Sequence, residues 1–266
     1  MPRWNNGRRF EGRVALVTGA GGALGGAVAR SLGREGATVA LGYRSSEESA
    51  ATALSAIEAA GSPGHLAQLE VTDPSSVERF VGEAAERYGR IDVVVNAAGR
   101  IDPADAVRFA ESDAGEFAKL LDVDLLGTFR VCQAAAPHLR ASGNGAIVNF
   151  SGSYGNGINP ENVVNSVAVT YCAAKGGVRA FTSALARDLA PEIRVNALAP
   201  GPIEANWEDD WEIPQEHLEE ALRMTPLGRM GLPEEIAETV LYLASDGGGY
   251  TTGQVIEVSG GWIMDG

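Results

Sequence analysis

Val14-Ala15-Leu16-Val17-Thr18-Gly19-Ala20-Gly21-Gly22-Ala23-Leu24-Gly25-Gly26 is a short apolar run that breaks into glycines and then into a helical pattern carried by Val28 and Leu32 and closed at Gly36. A buried strand, a glycine-rich turn and a helix start form the arrangement that binds a dinucleotide. Glycines let the backbone approach a pyrophosphate, and the helix N-terminus offers free N–H groups and partial positive charge. Outward from that stretch the same rhythm repeats. Strands are expected at Thr38–Gly42, His65–Val71, Ile91–Val95, Ala146–Phe150, Arg194–Leu198 and Gln254–Val258. Helices are expected at Glu47–Ala60, Pro74–Tyr88, Ala114–Leu139, around Tyr171, and at Pro233–Ala244. Strands alternating with helices imply right-handed βαβ units, so the expected fold class is α/β: a doubly wound, Rossmann-like, mostly parallel sheet with helices on both faces.

The bulk properties narrow the function. At 266 residues and 45% hydrophobic content, one α/β domain spanning the chain is expected. A net charge of −14 disfavours nucleic acid or an anionic membrane surface as the main partner. Two cysteines, Cys132 and Cys172, exclude a disulfide framework and suit a reducing compartment. The polar, basic start lacks the apolar core of a secretory signal, and no run of eighteen apolar residues occurs; the cytoplasm is the expected location. After the second strand no carboxylate appears until Glu47. Arg44 with Ser45 and Ser46 suits a ribose 2′-phosphate, which points to NADP(H).

Tyr171-Cys172-Ala173-Ala174-Lys175 places a phenol and an ammonium four residues apart, on one face of a helix. A free tyrosine titrates near 10, and bringing it to neutrality requires roughly 4 kcal/mol. Opposite charges about 4 Å apart at an effective dielectric near 20 interact by about that amount. The pair can therefore tune a tyrosine for acid–base work, although the same spacing also occurs on solvated helix surfaces.

Taken in order, Thr18-Gly19 to Gly25, Asn96-Ala97-Ala98-Gly99, Tyr171 with Lys175, Pro200-Gly201, and Thr252-Gly253-Gln254 with Gly260-Gly261 resemble the short-chain dehydrogenase/reductase family across nearly the whole chain, in its 3-oxoacyl-reductase flavour. The resemblance implies seven strands, a homotetramer or homodimer, and a nicotinamide cofactor. It implies Tyr171 as proton donor, and Lys175 as the group that lowers the phenol's pKa and holds the nicotinamide ribose. The cofactor set becomes Gly19, Gly21, Gly22, Ala23, Leu24, Gly25, Arg44, Ser45, Val71, Asn96, Ala97, Gly99, Lys175, Pro200, Gly201 and Ile203, with no metal. Four positions depart from the family pattern. Ala23 replaces the middle glycine of the turn, Gly152 falls where the catalytic serine is usual, Asp124 replaces an asparagine, and Ala205 replaces a threonine. Either Ser151 or Ser153 could stand in for the serine: strand neighbours alternate faces, so both would point one way and Gly152 the other, with Ser153 expected nearer the cleft. An ionised Asp124 near Lys175 would push the Tyr171 pKa back up.

A polar segment, about 204–231, reads as a lid over the substrate. Its Trp207, Glu208, Asp209, Asp210, Trp211 and Glu212 suit a cationic or polyhydroxylated ligand, and equally a solvated lid with packed indoles. The expected function is an NADP(H)-dependent oxidoreductase moving hydride between the nicotinamide and a ketone or secondary alcohol of a small molecule, with neither nucleic acid nor membrane as partner. Two rivals stand beside it. One is a cofactor-binding protein that has lost redox chemistry for a structural or regulatory role; the other catalyses a non-redox elimination or isomerisation.

Overall fold

The structure, a computed structural model, describes residues 8–100, 109–157, 169–204, 219 and 222–264. Ala205, the Trp207–Glu212 cluster and most of the expected lid lie outside the described residues. The seven strands are β1 (Val14–Thr18), β2 (Thr38–Tyr43), β3 (Gly64–Gln68), β4 (Val93–Asn96), β5 (Gly145–Phe150), β6 (Ile193–Pro200) and β7 (Val255–Val258). They form one sheet in the order β3-β2-β1-β4-β5-β6-β7, every pairing parallel. The doubly wound α/β fold expected from the sequence is the fold observed.

Successive strand residues face opposite sides of a sheet, and the two cores divide accordingly. Ala15, Val17, Val39, Leu41, Val93, Val95 and Val148 enter one buried cluster with helices α1 (Ala23–Arg34), α2 (Glu47–Ala59) and α7 (Pro233–Ala244). Leu16, Ala40, Val94 and Ile147 enter the other, with α3 (Pro74–Tyr88), α5 (Thr128–Ser142) and α6 (Val169–Leu189). Strands covered on both faces need near-continuous apolar sequence, which Val14–Val17 and Val93–Val95 supply.

Local chemistry sets the boundaries. Asp73 caps α3 by accepting from the Ser75 N–H at 3.0 Å, Pro74 occupies the first turn, and Gly89 ends the helix at φ +76°. Strand β3 stops at Gln68, short of the expected Val71. Beyond it Glu70 Oε1 accepts from both the backbone N–H and the hydroxyl of Thr72, turning the chain toward α3. The long helix expected over Ala114–Leu139 is three pieces: α4 (Ala114–Leu121), a π-helical turn (Asp122–Gly127) and α5. β1 neighbours both β2 and β4, so the winding reverses between β1 and β4, where an open parallel sheet leaves a crevice at its carboxyl edge.

Candidate active site

The first glycine turn fills the near side of that crevice. Gly19 sits at φ +67°, and a Cβ there would lie 2.7 Å from the Ala97 carbonyl oxygen. A Cβ on Gly21 would meet the Ser46 carbonyl at 2.6 Å, and one on Gly25 the Gly19 carbonyl at 2.2 Å. No side chain fits at any of the three, so the turn folds tightly on itself and against the end of β4. Gly22 precedes α1 with extended backbone and no side-chain cap, and the first turn of α1 carries no acidic residue. Its leading N–H groups are thus left for an anion. Ala23, the first helical residue, is exposed, so its methyl does not crowd the interior of the turn, while Leu24 packs on the core. Arg44 and Ser45 are exposed at the end of β2, next to the Ser46 that touches Gly21. These residues fit a dinucleotide: a cradle too tight for side chains and an uncapped helix end.

The remaining expected cofactor residues divide. Gly99 lines the site, since a Cβ there would stand 3.4 Å from Lys175 Nζ. Gly201 is pressed against Ser259, and the Pro200 carbonyl closes the end of β6. Val71 and Ile203 are buried among apolar side chains, Val71 wedged under Gly127 of the π turn. Asn96 turns into the sheet's interior. Its Nδ2 donates to Asn149 Oδ1 at 2.9 Å and lies 3.3 Å from Cys132 Sγ, and Asn149 Nδ2 donates to the Thr182 hydroxyl at 3.0 Å. This buried polar rung joins β4 and β5 to α6, the helix that carries Tyr171 and Lys175. Cys132 within it is held as a thiol, since burial pushes its pKa up to about 12.

Tyr171 and Lys175 share one face of α6, with Lys175 Nζ 5.6 Å from the phenol ring centre. The ammonium is buried. It donates to the Phe150 carbonyl at 3.3 Å and lies 2.9 Å from Asp124 Oδ2, on a carboxylate with 0% side-chain exposure. The other oxygen, Asp124 Oδ1, accepts from the Arg100 N–H at 2.7 Å. The π turn aims Asp124 inward; such wide turns recur at functional sites. Burial holds the Tyr171 phenol above the ordinary tyrosine range. Lys175 pulls it down, and Asp124 pushes it up again. For Lys175, burial works against the charge, yet Asp124 and Tyr171 together outweigh it and hold the ammonium above its ordinary pKa. The aspartate at the asparagine position is therefore a direct charge partner of the lysine.

The serine position brings a correction. Ser153 was expected to face the cleft, and its hydroxyl is instead turned to the sheet, within 3.0 Å of the Pro200 carbonyl, 3.1 Å of Glu257 Oε2 and 3.3 Å of the Ala199 carbonyl. Ser151 donates to the Lys175 carbonyl at 3.0 Å. The residue facing the phenol is Gly152, where a Cβ would stand 3.2 Å from the Tyr171 hydroxyl oxygen. Strand alternation does not govern here, because β5 ends at Phe150 and a 3-10 turn (Ser153–Asn156) begins at once. That turn carries Tyr154, which the sequence reading passed over. Its ring meets Tyr171 edge-on at 6.4 Å and Trp262 edge-on at 6.4 Å. An aromatic residue two positions beyond the usual serine was the only signal available. Among the described residues no group of three or more His, Cys, Asp or Glu is placed to hold a metal, and no helix is long and apolar enough to cross a membrane.

Comparison with known proteins places this geometry. A family model described as "Enoyl-(Acyl carrier protein) reductase" matches residues 19–263. A 3-oxoacyl-(acyl-carrier-protein) reductase of Thermotoga maritima is 40% identical over 262 residues, covering 96% of this chain and 100% of the relative. A short-chain reductase protein of Streptomyces niveus is 37% identical over 254 residues, covering 93% of each. Among solved structures, a mutant of a Serratia marcescens short-chain dehydrogenase/reductase superposes with a TM-score of 0.86 at 28% identity, covering 96% of this chain and 99% of the other.

Proposed function

Because the chain belongs to the short-chain dehydrogenase/reductase family, we propose that it is an NADP(H)-dependent oxidoreductase acting on a ketone or secondary alcohol of a small molecule. The observation that carries this is the buried Asp124–Lys175 pair beside Tyr171, at the carboxyl edge of the sheet and across the crevice from the glycine turn. When bound, the nicotinamide supplies or accepts the hydride. The chain's own residues do the rest. Tyr171 gives its phenolic proton to the carbonyl oxygen in reduction and removes the alcohol proton in oxidation. Lys175 draws the phenol toward ionisation, and Asp124 restrains that effect. Arg44 and Ser45 favour the phosphorylated cofactor.

A second reading of the substrate, a 3-oxoacyl thioester, is favoured by the identity to the Thermotoga relative. The net charge of −14 opposes delivery on an acidic carrier protein, since like charges repel at a docking face. One experiment tests both. NADPH or NADH is mixed with cyclic ketones, hydroxyketones and a free 3-oxoacyl thioester, and nicotinamide absorbance is followed for the wild type and Tyr171→Phe. Turnover with NADPH that falls about 10²- to 10⁴-fold in the variant is expected. Turnover that survives the substitution would remove Tyr171 as the proton donor, and cofactor binding with no turnover on any ketone would move the assignment to a non-redox or binding role.

A further inference from the structure

Stabilising the substrate oxygen needs a second O–H or N–H donor beside Tyr171. Gly152 supplies no side chain, and Ser151 and Ser153 spend their hydroxyls on the Lys175 carbonyl and on the Ala199–Pro200–Glu257 acceptors. Two further donors stand in one aromatic group, Tyr154 against Tyr171 and Trp262 against Tyr154. The half-buried Tyr154 stands edge-on to Tyr171 with its hydroxyl outside the set of buried, unpartnered atoms, and beside it the buried Trp262 Nε1–H has no partner among the described residues. Buried donors are normally satisfied, so the unpartnered Trp262 N–H in this aromatic group points to a polar atom that arrives with a ligand, within reach of the open Tyr154 hydroxyl.

We propose that Tyr154 is a catalytic residue of this enzyme, its phenolic O–H donating to the substrate oxygen in the role left open by Gly152, with Trp262 holding the Tyr154 ring in place. The inference rests on the oxidoreductase reading above. In the reduction, hydride from the reduced nicotinamide forms the new C–H bond, and the carbonyl π pair moves onto oxygen. Tyr171 gives that oxygen its proton and is later reprotonated from water. Tyr154 keeps its own proton throughout, donating a hydrogen bond that strengthens as negative charge builds. Burial holds this phenol at about 12, so it stays protonated across the working pH range. The two tyrosines thereby take different parts: the one beside Lys175 exchanges its proton, and the one beside Trp262 does not.

The test compares Tyr154→Phe, Trp262→Phe and the double variant Gly152→Ser/Tyr154→Phe with the wild type on whichever ketone of the panel is turned over. Tyr154→Phe keeps the ring and its packing, so melting temperature and NADPH affinity by fluorescence titration should not change. Its kcat should fall about 10²- to 10³-fold, with the pH dependence of the remaining rate unaltered. Trp262→Phe should show a smaller loss. The double variant should regain most of the rate, because a serine at 152 brings a hydroxyl next to Tyr171. Full activity in Tyr154→Phe while Tyr171→Phe is inactive would overturn the inference and leave the oxidoreductase reading standing. A rate loss accompanied by weaker cofactor binding and no recovery in the double variant would overturn it as well, marking Tyr154 as structural. NADPH-linked turnover of no ketone of the panel by the wild type would sink the oxidoreductase reading itself.

Discussion

Replacing Asp124 by asparagine removes one buried negative charge while preserving shape. The amide oxygen can still accept from the Arg100 N–H, as Asp124 Oδ1 does at 2.7 Å. The carboxylate lies 2.9 Å from Lys175 Nζ, itself 5.6 Å from the centre of the Tyr171 ring, so it stands at most about 8.5 Å from that ring. At an effective dielectric near 20, a charge at that limit raises the cost of forming the phenolate by about 2 kcal/mol, and a closer approach raises it more. The sign follows. A negative neighbour disfavours the phenolate, so removing it moves ionisation of Tyr171 to lower pH. In the oxidation direction, which needs the phenolate, kcat/KM for a secondary alcohol should rise with pH along a limb displaced toward acid by about 1.5 pH units in Asp124→Asn. In reduction the fall at high pH should move by the same amount. The assay is a pair of pH–rate profiles in each direction with saturating cofactor. Superimposable wild-type and variant limbs would refute the reasoning and remove Asp124 from the proton chemistry. Asp124→Ala, which also strips the acceptor from Arg100, should be destabilised as well as shifted; breaking a buried ion pair costs about 3–5 kcal/mol.

Arg44→Ala removes the cation proposed for the 2′-phosphate. A charge-assisted contact contributes about 1.5–3 kcal/mol, so the KM for NADPH should rise about 10- to 100-fold with that for NADH nearly unchanged; parallel KM measurements decide it. Asn149→Ala leaves the Asn96 amide and the Thr182 hydroxyl without their shared partner in the interior. Buried polar groups left unsatisfied cost about 1–3 kcal/mol each, and a thermal melt should fall by about 5–15 °C, with the pH profile of the surviving activity unmoved.

Much of the fold could be read directly. The span of α3 is legible because its cap, its first-turn proline and its terminal glycine are all present as residues 73, 74 and 89. β1 is legible because Val14–Val17 is an uninterrupted apolar run before a glycine turn. The π turn was not, since one extra residue per turn leaves the apolar pattern of Leu120, Val131 and Ala135 almost undisturbed while changing where Asp124 points. Tyr171, Lys175 and Asp124 were legible as a set because each is near the others through α6 or through charge. The serine assignment failed for a different reason. It assumed that the strand continued past Phe150, and a turn has no fixed alternation of faces. Tyr154 was invisible because nothing in its neighbours' spacing distinguishes a phenol facing Tyr171 from one packed on the surface.

The wide turn between α4 and α5 acts as an indexing device. An α-helix advances about 100° per residue, so deleting one residue between 122 and 127 would let two ordinary helices join end to end while swinging the carboxylate of residue 124 around the axis. Both helices would still form and the sheet would still be covered, yet the ammonium at 175 would be stranded without its counter-ion. Length in this short segment is therefore held more tightly than composition: many residues could occupy its outward positions, but their number could not change.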